Sequence, residues 1–189
     1  MFNTTLSFTG DRELDVEMTT VSLSASRFID ERWTLRGSVG VIIDGELKRG
    51  SRTIAEVEPG GLLAVGFDYR ASEGDRYAPY VDLSGYFGLT WTNTTSPDVD
   101  GETGYSASDL RFGARAGWDI AGNIAPYIAG RVFGGPVQWE LDGDDVTGSD
   151  IHHYQLAVGA AVPVGGIALY AEWAGLGEEA LSAGLSASW

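Results

Sequence analysis

The segment Tyr80-Val81-Asp82-Leu83-Ser84-Gly85-Tyr86-Phe87-Gly88-Leu89-Thr90-Trp91-Thr92 alternates between apolar and polar side chains. Its large apolar residues share one parity, interrupted only by Gly85, and the other parity holds Asp82, Gly88 and hydroxyl-bearing side chains. Successive side chains of a β-strand point to opposite faces of the sheet. The segment is therefore predicted to be a strand, within 78–92, that has one apolar and one polar face.

The same two-residue period continues along the chain. In 109–120, apolar residues alternate with Asp109, Arg111, Arg115 and Asp119, and a helix would place those charges among the apolar residues. The period predicts about ten strands, each near the roughly ten residues that a tilted strand needs to cross a bilayer. The other eight are predicted near 2–9, 16–27, 32–46, 61–71, 125–141, 150–163, 166–174 and 180–189.

The predicted connections alternate in length. Short turns fall near 29–31, 72–75, 121–123 and 164–166, and longer polar loops fall near 10–15, 47–60, 93–106 and 142–149, with a shorter one near 175–179. This asymmetry is typical of outer-membrane β-barrels. It places both termini on the short-turn side and requires an even number of strands. Eight strands stay possible if 2–9 is an unpaired tail and another segment is misassigned.

The composition limits the classes of protein. A mean hydropathy of −0.05 excludes a bundle of membrane helices but not a barrel, whose strands are half polar. The net charge of −15 argues against a nucleic-acid partner, and the absence of cysteine removes thiolate chemistry and disulfides. The first residues lack a secretory signal. We therefore expect a mature form with an added Met, the alternative being a cytosolic protein.

All six tryptophans fall on the apolar parity near predicted strand ends. Two aromatic belts at the lipid–water interfaces are predicted from this placement. One belt holds Trp33, Trp118 and Trp189, and the other holds Trp91, Trp139 and Trp173. A soluble β-sandwich or a lipocalin-like barrel would instead pack its large aromatic residues at mid-strand in the core.

The polar parity places charged side chains inside the predicted barrel. Four are basic and four are acidic: Arg36, Asp68, Asp82, Asp109, Arg111, Arg115, Arg131 and Glu172. Buried charges must pair or be hydrated. We expect a structural ion-pair network that plugs a narrow barrel, the alternative being the lining of a selective pore.

The predicted long loops carry most of the acidic excess. Carboxylates flank glycine turns at Asp98 and Asp100 and again at Asp142 and Asp144, but neither group has the full EF-hand spacing. These four residues are weak calcium candidates, and solvated acidic loops are the preferred interpretation. We predict no metal site and no cofactor.

The only histidines, His152 and His153, begin a predicted strand after the most acidic loop. Omptin-type outer-membrane proteases also place histidine and aspartate at the mouth of a ten-stranded barrel, but no local motif carries their catalytic residues onto this chain. Lipid A deacylases use a Ser–His pair, and a suitably spaced serine is missing here. A non-enzymatic protein is predicted, and a surface hydrolase is the minority alternative.

The chain resembles the small outer-membrane β-barrel proteins of Gram-negative bacteria, the OmpA/OmpX-like and opacity-protein-like group. The alternation, the turn asymmetry, the aromatic belts and the C-terminal strand 180–189, which ends on Trp189, carry this resemblance across 1–189. It implies one all-β domain, a closed antiparallel up-and-down transmembrane barrel in the outer membrane, with both termini in the periplasm.

The resemblance also implies partners. They are the lipid bilayer, lipopolysaccharide and, through the C-terminal strand, the barrel-insertion machinery. A structural or surface-interaction role is expected, with a narrow passive pore as the alternative, because the fold does not determine activity.

Overall fold

The computed structural model describes residues 2–8, 12–75, 77–97, 99–141 and 144–188, and these form an all-β protein. No helix in these ranges is long and apolar enough to cross a bilayer. The strands are β1 (Phe2–Phe8), β2 (Arg12–Phe28), β3 (Trp33–Arg49), β4 (Arg52–Val57), β5 (Gly60–Ser72), β6 (Tyr80–Ser96), β7 (Val99–Gly117), β8 (Ala125–Gly134), β9 (Val137–Leu141), β10 (Asp144–Asp150), β11 (Tyr154–Val164), β12 (Ile167–Gly177) and β13 (Glu179–Ser188).

Ten of these strands form a ring in an antiparallel up-and-down sheet, in the order β1, β2, β3, β5, β6, β7, β8, β11, β12 and β13. The ring closes at β1, which pairs along its length with β2 and through Phe2 and Asn3 with β13. Beyond the start of β1, β13 meets β2 directly in a short parallel contact, Ala187 with Ala25 and Ser188 with Ser26. Ser188 thus lies near the end of β2, whereas Phe2 pairs with Met18, farther from that end.

Short connections join β2 to β3, β5 to β6, β7 to β8 and β11 to β12 at one end of the ring, which we call the turn end. Aspartate side chains hold three of these connections. Asp30 Oδ1 accepts hydrogen bonds from the backbone N–H groups of Arg32 and Trp33, and Asp75 and Asp119 accept similar bonds. A short side chain that bonds to the backbone two or three residues ahead favours a tight turn.

The opposite end, which we call the hairpin end, has more regular structure than the sequence predicted. The predicted loops 47–60, 93–106 and 142–149 contain β4, the extended ends of β6 and β7, and β10. A second closed set of pairings runs here through β1, β2, β3, β4, β6, β7, β9 and β10. The loop assignments were wrong, and the described residues form thirteen strands instead of about ten.

These strands were missed in the sequence because their polar composition was interpreted as irregular structure. In these segments exposed and more buried side chains alternate, and a few polar ones such as Thr94 and Asp150 are buried. The chain can therefore continue as paired strands that satisfy its backbone groups. β8 and β9 together correspond to the predicted strand 125–141, and Gly135 and Pro136 separate them. The β2–β3 ladder has a bulge: its register shifts between Thr19 and Thr20, opposite Ile43. Ile42 lies on one side of the bulge and Leu47 on the other, and both are buried.

The hairpin end encloses an apolar core. We call the part of the ring that carries β2 residues 12–19 the hairpin half, and the part that carries β2 residues 20–28 the turn half. The core of the hairpin half consists of Leu6, Phe8, Leu14, Val16, Met18, Ile42, Leu47, Ala55, Val57, Tyr105, Val137 and Trp139. The turn half instead exposes large apolar side chains on its exterior, among them Leu23, Leu35, Val65, Phe87, Phe112, Ile128, Val158, Leu169 and Leu185.

Candidate functional site

The interior of the turn half holds a set of ion pairs. All eight charges that were predicted to lie inside the ring take part in ion pairs here, and two further residues join them. The participants are Arg36, Asp68, Arg70, Asp82, Asp109, Arg111, Arg115, Arg131, Glu172 and Glu178. Five are basic and five are acidic, so the set is neutral in total.

Asp82 bridges two arginines. Its Oδ1 accepts a 2.5 Å hydrogen bond from Arg70 Nε, and its Oδ2 accepts a 2.6 Å bond from Arg115 Nη2. The pairing follows from the sheet, because Asp82 is the register partner of Arg70 on β5 and of Arg115 on β7. The Arg115 guanidinium also lies 5.2 Å from the centre of the Tyr127 ring, within range of a cation–π contact.

Glu172 on β12 forms the second group. Arg131 donates to both of its carboxylate oxygens at 2.7 Å, and the Tyr127 hydroxyl donates to Glu172 Oε2 at 3.0 Å. Arg131 Nη1 also donates to Gln155 Oε1 at 2.5 Å. The pair of hydrogen bonds from Arg131 to Glu172 is the strong, two-bond form of an arginine–carboxylate contact.

Glu178 and Arg111 form the third group, which lies towards the apolar core. Arg111 donates to both oxygens of Glu178 at 2.8 and 2.9 Å and through Nε to Asp109 at 3.0 Å. Gln155 Nε2 donates to Glu178 Oε1 at 2.7 Å and so joins this group to Arg131. Glu178 was predicted to lie in a solvated acidic loop, but it is buried and points inward.

Arg36 and Asp68 form a separate pair across β3 and β5. Arg36 Nη2 lies 2.7 Å from Asp68 Oδ2, and the Tyr86 hydroxyl donates to Asp68 Oδ1 at 3.0 Å. These residues share the inward parity of their strands.

The sequence reasoning missed Arg70 and Glu178. Arg70 has the parity of Asp68 on the same predicted strand, and that signal was available. Glu178 follows the positive-φ residue Gly177 in the β12–β13 connection, where alternation gives no direction for a side chain.

A chamber of about 550 Å³ in the turn half is lined by the Asp82 group, the Glu172 group and the Arg36–Asp68 pair. Phe28, Glu31 and Arg32 line it at the turn end, and Arg36, Arg70, Arg115 and Arg131 line its interior. Hydroxyl groups of Ser24, Ser26, Ser182 and Ser186 complete much of the remaining wall. The chamber is therefore polar and carries arginine side chains from several strands.

The tryptophans divide between the two faces of the ring. Trp33, Trp91, Trp118 and Trp173 are exposed on the exterior. Trp139 is only 2% exposed, because β9 turns it into the apolar core, where its ring lies 6.0 Å from that of Phe8 and Nε1 donates to Thr94 Oγ1 at 2.8 Å. Its assignment to an outward belt was wrong. Trp189 lies outside the described residues.

The described residues do not bring the calcium candidates or the histidines together into a site. Asp98 and Asp142 lie outside the described residues, and Asp100 and Asp144 lie on β7 and β10 without described side chains. Among the described residues no group of acidic or histidine side chains is arranged to hold a metal ion. His152 donates its backbone N–H to Asp150 Oδ1 at 2.6 Å, so Asp150 bonds to the backbone of the histidine segment there.

Neither the scan against protein-family models nor the search of curated proteins finds a match to this chain.

Proposed function

We propose that this chain is an integral outer-membrane β-barrel with a structural or surface-interaction role. The turn half would span the bilayer, and the hairpin half would project from it into water on the outer side. The observation that carries the proposal is the reversal of polarity between the two halves of one ring.

The exterior of the turn half supports contact with lipid. Its exposed side chains are large and apolar on successive strands, while charges lie inside in pairs. In water this arrangement would leave an apolar band exposed around the molecule, whereas in a bilayer the band is solvated by acyl chains. Four tryptophans on the same exterior are placed as interface residues would be.

The exterior of the hairpin half supports contact with water. Glu17, Glu46 and Glu56 are successive register partners across β2, β3 and β4, and Lys48 Nζ lies 2.9 Å from Glu17 and 3.3 Å from Glu46. A row of charges this dense is too costly to place in hydrocarbon. In the proposed orientation it faces lipopolysaccharide at the cell surface, and β13 is the strand offered to the insertion machinery.

The apolar core favours a structural role over a pore. Conduction needs a continuous wet path, and the core places twelve buried residues across the hairpin half. None of these twelve residues lines the chamber in the turn half. A surface hydrolase has less support still, because the hydrogen bonds described at His152 and His153 are made by their backbone atoms.

Quenching of tryptophan fluorescence by brominated phospholipids tests the membrane assignment. Two single-tryptophan variants are refolded into vesicles, one retaining Trp173 and the other retaining Trp139. We expect strong quenching of Trp173, which is 59% exposed on the exterior, and little quenching of Trp139. Equal quenching of both, or a protein that folds as a monomer without detergent, would contradict the proposal.

A further inference from the structure

The chamber in the turn half is far less acidic than the rest of the molecule. Its lining holds five basic residues, one of which is Arg32 near the mouth, and four acidic ones, Glu31, Asp68, Asp82 and Glu172. The difference is one positive charge, in a chain whose net charge is −15. Glu73, which is exposed near the mouth, lies 3.6 Å from Arg70.

Within each ion pair the two partners are unequally exposed. The side chains of Arg36, Arg70, Arg115 and Arg131 are 21–34% exposed, and those of their partners Asp68, Asp82 and Glu172 are 6–14% exposed. A solute in the chamber therefore meets guanidinium groups before carboxylates.

The carboxylates of Asp82 and Glu172 use both of their oxygens as acceptors for arginine. A guanidinium carries five N–H donors, so an arginine that makes one or two bonds to a carboxylate keeps further N–H groups that can donate to a ligand. The chamber thus has more donors than acceptors, and the serine hydroxyls can donate as well.

We propose that this chamber binds a small, oxygen-rich anion, a phosphate or phosphate monoester, that enters from the turn end. Arginine forks match the geometry of phosphate oxygens, and the volume of about 550 Å³ lies within the range of small-molecule sites. The inference goes beyond the proposed function and depends on the folded ring, not on which membrane holds it.

Calorimetric titration of the detergent-refolded protein tests the proposal, with inorganic phosphate and glycerol 3-phosphate as probes and choline chloride as the cation control. The key variant is Arg36→Gln/Asp68→Asn, which removes one ion pair from the chamber without changing the net charge. Its matched control is Lys48→Gln/Glu17→Gln, which removes an exterior pair of similar length. A further titration with short-chain phosphatidic acid distinguishes a lipid headgroup from a soluble phosphate.

We expect the wild type and the exterior variant to bind phosphate alike, and the chamber variant to bind it about tenfold or more weakly. Binding of phosphatidic acid alone, with the same dependence on Arg36, would support the chemistry and assign its source to lipid. If the chamber variant does not fold, saturable binding of phosphate by the wild type supports the proposal, and the absence of such binding overturns it. No saturable binding of any phosphate probe by folded wild type, or equal loss in both variants, would overturn the proposal.

Discussion

β2 passes through both halves of the ring, and the surroundings of its side chains reverse between them. In the hairpin half Leu14, Val16 and Met18 point into the apolar core while Glu13 and Glu17 lie on the outer face. In the turn half the inward positions are Ser22, Ser24 and Ser26, and the outward ones include Val21 and Leu23, which are exposed. The inward parity of β2 is the same throughout, so the change of sequence alone reverses the polarity.

The comparison shows how one sheet can be suited to two solvents. A strand in water buries its apolar face, and a strand in a bilayer presents that face to lipid. In the hairpin half burial of apolar area stabilises the ring, whereas in the turn half paired charges fill the interior. Substitutions of the same type should therefore differ in the size of their effect between the two halves.

The largest expected effect is the loss of Trp139. Trp139→Ala removes a buried ring and its hydrogen bond to Thr94, and we expect a loss of about 3–5 kcal/mol in the free energy of unfolding. Trp173→Ala, which removes an exposed exterior ring, should cost about 1 kcal/mol or less. Denaturant unfolding in micelles, followed by circular dichroism, measures both. Equal losses would mean that the hairpin half is not a packed core.

A charge on the exterior of the turn half should have the next largest effect. Val65 is exposed there, lies midway along β5 and pairs with Gly37 and Phe87. Val65→Lys should destabilise the protein in phospholipid vesicles by about 2–4 kcal/mol, because the ammonium group would lie at the depth of the acyl chains. Glu13→Lys, on the exposed exterior of the hairpin half, should change stability by about 0.5 kcal/mol or less.

The stability of Val65→Lys depends on whether lipid or water contacts the exterior of the turn half. A variant as stable in vesicles as the wild type would show that this face does not meet lipid. The proposal for the membrane-spanning half would then fail while the fold remained intact.

Breaking an interior ion pair should have a smaller effect. Arg131→Met leaves the carboxylate of Glu172 with the Tyr127 hydroxyl alone among its hydrogen-bond donors described here, at an expected cost of about 1.5–3 kcal/mol. The double variant Arg131→Met/Glu172→Leu should recover most of that loss, since removing both partners leaves no unpaired charge. Urea unfolding of the single and double variants measures the recovery, and a double variant as unstable as the single one would contradict this account.

Much of the turn half follows from sequence alone. Alternation in the segment that contains Leu83, Phe87 and Trp91 gives the exterior face, and the opposite parity gives Asp82 and its neighbours inside. The ring partners of Asp82 do not follow, because they depend on register. Arg70 lies beside Asp82 because it continues the register that begins at Gly61 and Trp91, and no local pattern specifies that register.

The hairpin half was harder to predict for a different reason. Glu13-Leu14-Asp15-Val16-Glu17-Met18 alternates as strictly as any strand of the turn half, and that signal was available. Residues 13–15 of this segment were nevertheless assigned to a polar loop, and only 16–18 to a strand. Trp139 was misplaced similarly, because its parity was compared with lipid-facing strands, whereas β9 belongs to the half whose apolar face points inward.

The smallest expected effect concerns pH at the turn end. Backbone hydrogen bonds from Arg32 and Trp33 to Asp30, and from Tyr77 and Ala78 to Asp75, hold the pKa of each carboxyl below its ordinary value of 3.8. A carboxyl with a lowered folded-state pKa contributes stability above its unfolded-state pKa, and the contribution disappears as the pH falls through the folded value. The loss therefore belongs to the range below about pH 4.

Asp30→Asn/Asp75→Asn should flatten the acid limb of the stability curve slightly and leave the limb above pH 5 nearly parallel to that of the wild type. Melting temperatures between about pH 2.5 and 6 measure this difference. Glu31→Gln, the matched control, removes a neighbouring exposed charge without touching either set of hydrogen bonds. Because both aspartates are fully exposed, the difference should be far smaller than that caused by any interior substitution, and a larger one would mean that the turns contribute more to the stability of the ring than their exposure indicates.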